Sequence, residues 1–380
     1  MHLSTITIGF VPRERFSVAS ECLQRIFDCT RIPFNLMVVD CNIPQVYRQQ
    51  MEKVLSGRSN VKVIRTDYYL LPNQAKNLVI QESTDDFICF PENDVLVDEG
   101  WLSYLIAACE EHPADVAVPL ILERHGGPVH FDHNLGHIKA VQQSDGLKIE
   151  IVPRSTPKEL DRSASRRSTQ FMENHCLLFH RKVFNCIGLY DEALNISEHI
   201  DLSIALHHAG VPVVFEPKCC VTFLPPPPIY PDERDYFYFR WDIELTSKSD
   251  DRIRQRWNLL NYPNSVHFAK GRHLIAEIAA LIQPGERFIM VDQDQLSRYF
   301  RAYGAVPFLE RDGIYWGPPP DAETAIREFE RLLEAGATRI VFTWVAFWWL
   351  EFYTDFHKYL RSRYHCILEN ERLVVFDLRS

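Results

Sequence analysis

The chain has 380 residues, 46% of them hydrophobic and 24% charged, which is the balance of a folded globular protein. At about 150 residues per domain, this length favours two or three domains. Acidic residues outnumber basic ones by 51 to 41, and the net charge of -10 argues against a broad nucleic-acid-binding surface. We therefore expect no nucleic-acid partner, while a local basic pocket for a phosphate stays open.

The ten cysteines contain no Cys-x-x-Cys pair, so we interpret them as reduced thiols packed in the interior. No window reaches the ~18–20 apolar residues that a membrane helix needs. The first residues also lack the basic leader of a signal peptide. These features predict a cytoplasmic protein with no transmembrane segment.

Strands and helices alternate along the first part of the chain. Apolar runs predict the strands, and apolar residues at helical spacing predict the helices between them. The predicted strands are 5–11, 34–40, 61–64 and 86–90, and the predicted helices contain 18–26, 46–55, 74–81 and 101–111. This alternation predicts a parallel sheet covered on both faces, with ligands beyond the carboxyl ends of its strands.

The rest of the chain divides into a polar segment and a second α/β pattern. Residues 124–168 are weakly periodic, which is typical of long loops or a hairpin on a functional rim. Later elements are strands at 176–180, 213–215, 287–291 and 338–345, helices at 181–187, 200–209, 235–257, 321–335 and 348–363, and a hairpin at 365–376. We predict a first domain at 1–230, a helical linker or extension at 231–283, and a small α/β domain at 284–380.

The sequence Phe90-Pro-Glu-Asn-Asp94 follows the fourth predicted strand. Glu92 and Asp94 are two positions apart, so both carboxylates can bind one divalent cation, and oxygen ligands suit Mg²⁺ or Mn²⁺. The alternative is a turn in which Asn93 and Asp94 accept backbone hydrogen bonds. Short acidic turns are common, so this pattern alone favours the turn.

The sequence Ser197-Glu-His-Ile-Asp-Leu202 marks the start of a helix. Taken alone, it favours Ser197 as the helix cap, with acidic residues in the first turn. The functional alternative is a general base, because Glu198 or His199 could take a proton from a hydroxyl group. Asp201 would then orient a partner or contact the substrate.

Polar residues also follow the first two predicted strands. Pro12-Arg-Glu14 follows the first, and Asp40 with Asn42 follows the second. These side chains can hydrogen-bond a nucleobase and a ribose, and Asn73 and Asn77 on the next helix could reach the same ligand. Each pattern is unremarkable by itself.

Three histidines lie in the polar segment at a spacing that could bind a transition metal: His130, His133 and His137. No cysteine ligand lies nearby, so we prefer a surface position or a contact with substrate.

In this order, the segments resemble glycosyltransferase family 2, which has the GT-A fold. The resemblance covers about residues 3–225, and the order of the motifs is more specific than any one of them. It rests on 6–15, 38–40, 73–77, 87–94, 176–184, 188–191, 198–202 and 209–210.

The resemblance implies an inverting glycosyltransferase of hexosyltransferase type that moves a sugar from a nucleotide diphosphate donor to an acceptor hydroxyl. Its expected partners are a nucleotide-sugar and a glycan or lipid-linked glycan, in bacterial glycan or polysaccharide biosynthesis. Such a protein would be cytoplasmic, or peripheral at the inner face of the membrane. Glu92 and Asp94 would hold Mg²⁺ or Mn²⁺ on the diphosphate, and Glu198, His199 and Asp201 would be the catalytic residues. The expected donor-binding residues are Pro12, Arg13, Glu14, Asp40, Asn73, Lys76, Asn77 and Asn93.

The chain departs from the family pattern at several positions. The family's usual acidic pair before the final helix is Glu-Asp, and here the second position resembles His199, so the base is either His199 or Glu198. Many relatives carry a metal-binding histidine after the next strand, where this chain has 221–223. The alternative function is a catalytically weakened GT-A-like protein that binds glycans or serves as a scaffold.

The C-terminal part resembles an accessory domain found beside bacterial glycosyltransferases. Its aromatic residues Tyr315, Trp316, Trp348 and Trp349 could stack on sugar rings. The alternative, which we prefer, is that Trp348 and Trp349 fill the core of a small domain. The whole chain is then predicted to be α/β, with a GT-A nucleotide-diphospho-sugar transferase-like domain and a second, smaller Rossmann-like α/β domain.

Overall fold

The computed structural model describes residues 4–123, 138–151, 165–224, 230–262, 265–283, 285–296 and 304–379. The chain divides into two compact units, Met1–Val266 and His267–Ser380. Helices do form in the segment 231–283 that we predicted as a linker or extension, and the first unit extends to residue 266. The metal spacing of His130, His133 and His137 lies outside the described residues.

The strands of the first unit bear out the predicted alternation. They are β1 (Ile6–Phe10), β2 (Asn35–Cys41), β3 (Val61–Thr66), β4 (Phe87–Pro91), β5 (Val95–Val97), β6 (Val116–Glu123), β7 (Ile138–Gln142), β8 (Leu147–Ile151), β9 (Arg167–Thr169), β10 (Cys176–His180) and β11 (Val213–Phe223). Within the described residues, nine of them form one sheet in the order β3-β2-β1-β4-β10-β6-β11-β5, and β9 pairs with β11. β7 and β8 form a separate antiparallel hairpin.

The direction of the strands sets where a ligand can bind. β1 pairs in parallel with β2 and β4, and β2 pairs in parallel with β3. The loops after β1, β2 and β4 therefore meet at one edge of the sheet. β10 is antiparallel to β4 and β6, so its amino end lies at that same edge. This carboxyl edge of the parallel strands holds most of the predicted site residues.

The helices of the first unit cover the sheet. They are α1 (Phe16–Cys29), α2 (Gln45–Leu55), α3 (Pro72–Glu82), α4 (Trp101–Glu111), α5 (Val183–Ile187), α6 (Glu198–His208), α7 (Arg234–Arg240) and α8 (Ile243–Trp257). The predicted single helix at 235–257 is wrong, because the chain breaks between α7 and α8. Asp242 begins the second helix by accepting a hydrogen bond from the backbone N–H of Leu245 at 2.7 Å.

Close packing between β1 and β4 depends on a residue without a side chain. A Cβ atom at Gly9 would lie 2.5 Å from the ring of Phe90 and 2.9 Å from Val79. Both neighbours are buried in the core of the first unit. Gly9 therefore lets an aromatic ring fill the space beside β1, just before the loop that leads to the site.

The second unit is a smaller α/β structure, as predicted. Its strands are β12 (Phe288–Val291), β13 (Ala305–Pro307), β14 (Glu310–Arg311), β15 (Ile314–Tyr315), β16 (Arg339–Thr343), β17 (His365–Glu369) and β18 (Leu373–Asp377). Five of the described strands form a sheet in the order β13-β12-β16-β18-β17, and the predicted closing hairpin, β17 with β18, is antiparallel.

The described residues of this part of the chain also form four α-helices: α9 (Ser265–Leu281), α10 (Ala322–Glu334), α11 (Trp348–Phe352) and α12 (Thr354–Arg363). The predicted single helix at 348–363 is wrong, because Tyr353 leaves the helical conformation between α11 and α12. Its hydroxyl donates to the carbonyl of Pro319 at 2.6 Å, which fixes the break. Trp349 is buried as preferred, whereas Trp348 is 38% exposed.

All ten cysteines are free, as the sequence predicts. None of the helices in the described part of the chain combines the length and the apolar composition that crossing a membrane requires.

Candidate active site

Asn93 fixes the loop after β1 to the turn after β4. Its Nδ2 donates to the carbonyls of Glu14 at 3.0 Å and Arg15 at 3.2 Å, and its Oδ1 accepts from the N–H of Arg13 at 3.1 Å. Glu14 and Arg15 have φ values of 30° and 49°, in the left-handed region that side chains disfavour. The three hydrogen bonds offset this cost, so the amide of Asn93 positions the arginines of the loop.

Glu92 and Asp94 carry the charges of that turn, and each is paired with an arginine. Glu92 forms an ion pair with Arg13, and its Oε2 lies 2.9 Å from Nδ1 of His175. Asp94 accepts from Nη1 of Arg15 at 2.7 Å through Oδ2. Its other oxygen, Oδ1, is buried and has no hydrogen-bond partner among the described residues. A buried carboxylate oxygen is normally hydrogen-bonded, so one without a partner indicates a position where a ligand atom could bind.

One ligand atom from each of Glu92, Asp94 and His175 lies within 4.8 Å of the others, and all three residues are buried. Two carboxylate oxygens and an imidazole nitrogen are a suitable donor set for Mn²⁺, and the carboxylates alone suit Mg²⁺. With the orphaned oxygen of Asp94, this chemistry fits a divalent cation.

His175 is a residue of this cluster that the sequence patterns did not indicate. It directly precedes β10, whose antiparallel pairing places Cys176 opposite Pro91, and its carbonyl accepts from the N–H of Glu92 at 2.9 Å. The family resemblance places such a histidine in the segment 221–223, which here forms the end of β11 and holds Phe223. The ring of Phe223 packs against the His175 ring, with centroids 4.3 Å apart. Finding His175 from the sequence would have required the order of the strands in the sheet, and hydrophobic periodicity does not reveal that order.

A second group of charges surrounds Glu198, the first residue of α6. Its Oε1 lies 3.2 Å from Nη2 of Arg240 and 3.7 Å from Nη1 of Arg13. Arg240, on α7, also contacts Glu14 at 2.5 Å, and Trp241 Nε1 donates to Glu14 at 2.5 Å. Arg13 therefore joins Glu198 to Glu92. The sequence did not predict a role for Arg240 in the site, because the pattern around it indicates only a helix rich in aromatic residues.

Burial and ion pairing together set the protonation of these groups. Burial opposes ionisation of Glu92, but Arg13 and His175 outweigh it and hold the pKa of Glu92 well below its usual range. Glu198 is similar, because Arg240 and Arg13 outweigh burial and lower its pKa. The pKa of His175 is raised, since the bond to Glu92 outweighs burial. The carboxyl groups of Glu92 and Glu198 are therefore ionised at neutral pH.

Lys76, on α3, is buried beside these charges. Its Nζ has no hydrogen-bond partner among the described residues and lies 5.3 Å from the ring centroid of Tyr190. Burial lowers the pKa of Lys76 to about 8, and the nearby carboxylates Glu198 and Glu92 limit the shift. A buried ammonium group without a hydrogen-bond partner is unfavourable. An anionic ligand would remove that cost.

Asp40 and the asparagines of α3 have partners of their own. Asp40 accepts from the N–H of Ile43 at 3.0 Å and pairs with Nε of Arg48 at 2.7 Å. Asn73 donates to the carbonyl of Asp191 at 2.8 Å. Asn77 donates to the carbonyl of Tyr190 at 3.0 Å and accepts from its N–H at 3.0 Å. The asparagines thus attach α3 to the segment before α6.

The other predicted residues differ in how closely they join the cluster. Asp201 binds Arg256 at 2.9 Å and Trp257 Nε1 at 2.7 Å, so its contacts fix α6 to α8. Burial raises the pKa of Asp201. His199 is half-buried, and it lies close enough to Glu198 to contribute to the lowered pKa of that carboxyl group. Pro12 is buried, and its carbonyl accepts from Sγ of Cys41 at 3.7 Å.

Residues 14–188 match the model of glycosyl transferase family 2. The match covers a little under half of the chain and includes the carboxylates of the turn, Lys76 and His175. Glu198 and Arg240 lie beyond it.

A pre-mycofactocin glycosyltransferase of Mycobacterium tuberculosis is 22% identical over 175 residues, which is 45% of this chain and 34% of that protein. The chain thus spans about a third of the length of the curated relatives it matches.

Among solved structures, GalNAc-T7 with UDP, GalNAc and Mn²⁺ has 20% identity and a TM-score of 0.47, over 72% of this chain and 55% of that one. A mannosyltransferase of Pyrobaculum calidifontis with GDP-Man and Mn²⁺ has 11% identity and a TM-score of 0.46, over 74% of each chain. Both TM-scores are below 0.5, so the ligands of these two proteins say nothing about the ligands of this chain.

Proposed function

We propose that the first unit is an inverting glycosyltransferase of hexosyltransferase type, which transfers a sugar from a nucleotide diphosphate donor to an acceptor hydroxyl. One observation carries this proposal: Glu92, Asp94 and His175 converge at the carboxyl edge of the sheet, inside the segment that matches the family model. The name of the mycobacterial relative supports the same reaction class. The acceptor we propose is a glycan or a lipid-linked glycan in bacterial glycan or polysaccharide biosynthesis.

A divalent cation, Mn²⁺ or Mg²⁺, would be held by Glu92, Asp94 and His175. When bound, it would neutralise the diphosphate and stabilise the leaving group. The imidazole favours Mn²⁺ within this donor set.

The donor would lie along the loops after β1, β2 and β4. Lys76 and Arg13 supply positive charge for the phosphates, and Asp40 stands at the end of β2 to bind the ribose or the base. Pro12, Glu14 and Asn93 shape the loop, while Asn73 and Asn77 attach α3 to the segment before α6. We propose contact through Lys76, whose ammonium group has no hydrogen-bond partner among the described residues, and through Arg13 and Asp40, whose charges suit a phosphate and a ribose. The other residues would have a positioning role.

Glu198 is the base that the geometry favours over His199. It is 3% exposed, it is ionised at neutral pH, and it lies 3.7 Å from the same Arg13 that pairs with Glu92. A carboxylate there can take the proton of the acceptor hydroxyl while the sugar is displaced in one step, which inverts the anomeric centre. Asp201 holds the helix that carries Glu198.

The test is turnover of nucleotide-sugars with added Mn²⁺. We expect release of UDP or GDP by the wild-type chain, and loss of it in Asp94→Asn. Asp115→Asn is a matched control, because Asp115 pairs with Lys182 on the surface. No turnover with any donor by a folded wild-type chain contradicts the proposal.

A second candidate is a glycan-binding or scaffold protein with weakened catalysis. The arginines on both turn carboxylates favour it, as does the 62% exposure of Trp316 in the second unit. The same assay separates the two, because this candidate predicts sugar binding without release of nucleotide.

A further inference from the structure

Both carboxylates that would bind a cation already have a cationic partner from one loop. Arg13 pairs with Glu92, and Arg15 pairs with Asp94 at 2.7 Å. The side chains of all four residues are at most 13% exposed, so water screens these pairs little. A metal ion at Glu92 and Asp94 competes directly with these two guanidinium groups.

Among the described residues, four carboxylates of the site stand beside four basic side chains before any ligand arrives. The carboxylates are Glu14, Glu92, Asp94 and Glu198, and the basic side chains beside them are Arg13, Arg15, Lys76 and Arg240. His175 adds a further group that can be cationic. A bare divalent cation would thus bring two uncompensated positive charges into a buried place, and this is costly.

A nucleotide diphosphate changes that situation, because the diphosphate of a nucleotide-sugar brings two negative charges. The metal and the diphosphate together add no net charge. The guanidinium group of an arginine also binds phosphate oxygens well, through several N–H donors in a planar fork. An arginine released from a carboxylate therefore has a new partner in the same complex.

We propose that Arg13 and Arg15 are internal counterions that keep Glu92 and Asp94 from binding a bare cation, and that Arg13 exchanges its carboxylate for the diphosphate when metal and nucleotide bind together. This inference rests on the proposed function and concerns the regulation of the same site. Arg13 suits the exchange better than Arg15, because its other terminal nitrogen already lies 3.7 Å from a second carboxylate, that of Glu198.

The exchange predicts strong positive coupling between metal and nucleotide. Each ligand must raise the affinity for the other by the same factor, and such factors are typically about 5- to 150-fold. Removing the guanidinium group of Arg13 should raise the affinity for the metal alone and reduce the coupling.

The experiment is a titration of the full chain with Mn²⁺, in which electron paramagnetic resonance reports the free ion. It is run without nucleotide and then with saturating UDP or GDP, on the wild type and on Arg13→Gln. We expect the wild type to bind Mn²⁺ weakly alone and tightly with nucleotide. Arg13→Gln should bind Mn²⁺ alone about tenfold more tightly, and nucleotide should then add correspondingly less.

Arg166→Gln is the matched control, since Arg166 pairs with the buried carboxylate of Glu216 in another part of the first unit. It should leave Mn²⁺ binding unchanged. If circular dichroism shows that Arg13→Gln does not fold, Arg15→Gln tests the same logic at Asp94.

Two results overturn the inference in distinguishable ways. If the wild type and Arg13→Gln bind Mn²⁺ alone with equal affinity, or the variant binds it more weakly, the counterion role is wrong and the proposed function stands. If no protein binds Mn²⁺ with or without nucleotide, and UDP and GDP do not bind either, the proposed function fails as well.

Discussion

Each α/β unit places a buried carboxylate shortly after one of its parallel strands, and the two carboxylates differ in their hydrogen bonds. In the second unit, Asp292 directly follows β12, and its oxygens accept from the N–H groups of Leu296 at 2.7 Å and Asp294 at 3.1 Å. In the first unit, Asp94 comes after β4 and keeps one buried oxygen without a hydrogen-bond partner among the described residues. An acidic residue after a strand thus forms a turn with satisfied oxygens in one unit and belongs to a candidate ligand site in the other. Incomplete pairing of buried polar atoms is what distinguishes them.

The largest expected effect tests this difference directly. Asp94→Asn should reduce sugar transfer or donor hydrolysis about a thousandfold or more, because the charge stabilisation that a bound cation supplies is worth several kcal/mol. Asp292→Asn should leave turnover near the wild-type rate and lower the melting temperature, since it weakens only the turn. Equal losses of turnover in the two variants would remove the distinction between the units.

The next effect concerns the base. Glu198→Gln should lower kcat about a hundredfold or more, which is the usual size of a general-base contribution, while the KM for the donor changes little. His199→Gln should keep most of the activity, because Glu198 is the more buried and better connected group. The kinetics of the two variants, measured side by side, decide between the residues. The opposite ranking would assign the proton transfer to His199.

A stability effect follows from Arg240, which lies between Glu14 and Glu198. Arg240→Met removes the counterion of two largely buried carboxylates and should lower the free energy of unfolding by about 3–5 kcal/mol. Lys248→Met, on the exposed surface beside Glu244, should leave the free energy of unfolding nearly unchanged, because water screens that pair. Urea unfolding of both variants measures the difference. Similar values for the two would mean that the Arg240 cluster is solvated.

The smallest effect is a pH dependence. Because the pKa of Lys76 is lowered to about 8, its ammonium group loses its proton as the pH rises from 7 to 9, and nucleotide affinity should fall over that range. Unfolded chains keep this proton until the usual lysine pKa, so the contribution of Lys76 to stability rises with pH above 8. Calorimetric titration with UDP or GDP at several pH values measures the change in affinity. In Lys76→Met the affinity should be weaker and should not depend on pH in this range.

Much of the fold could be predicted from the sequence, because buried strands and amphipathic helices leave a periodic pattern. That pattern located β1, β4 and α3, and hence the side chains at their ends. It did not show that β10 runs antiparallel between β4 and β6, since periodicity reports which face is buried and not which strand is the neighbour. His175 was missed for this reason.

Ion pairs between distant segments were also invisible in the sequence. Arg15 and Asp94 are 79 positions apart, and Arg240 and Glu14 are 226 apart. A charge in a loop or on a short helix carries no periodic signal that names its partner. The sequence therefore indicated Glu92 and Asp94 as candidate metal ligands but not that Arg13 and Arg15 pair with them.

The most direct measurement is calorimetric binding of UDP and GDP to the full chain, with and without Mn²⁺, alongside Asp94→Asn. We predict that one of the two nucleotides binds, that Mn²⁺ strengthens its binding, and that Asp94→Asn loses the strengthening. Two results would contradict the assignment of this edge of the sheet as a metal and diphosphate site. One is a nucleotide affinity that neither Mn²⁺ nor the substitution changes, and the other is no binding of either nucleotide to the folded protein.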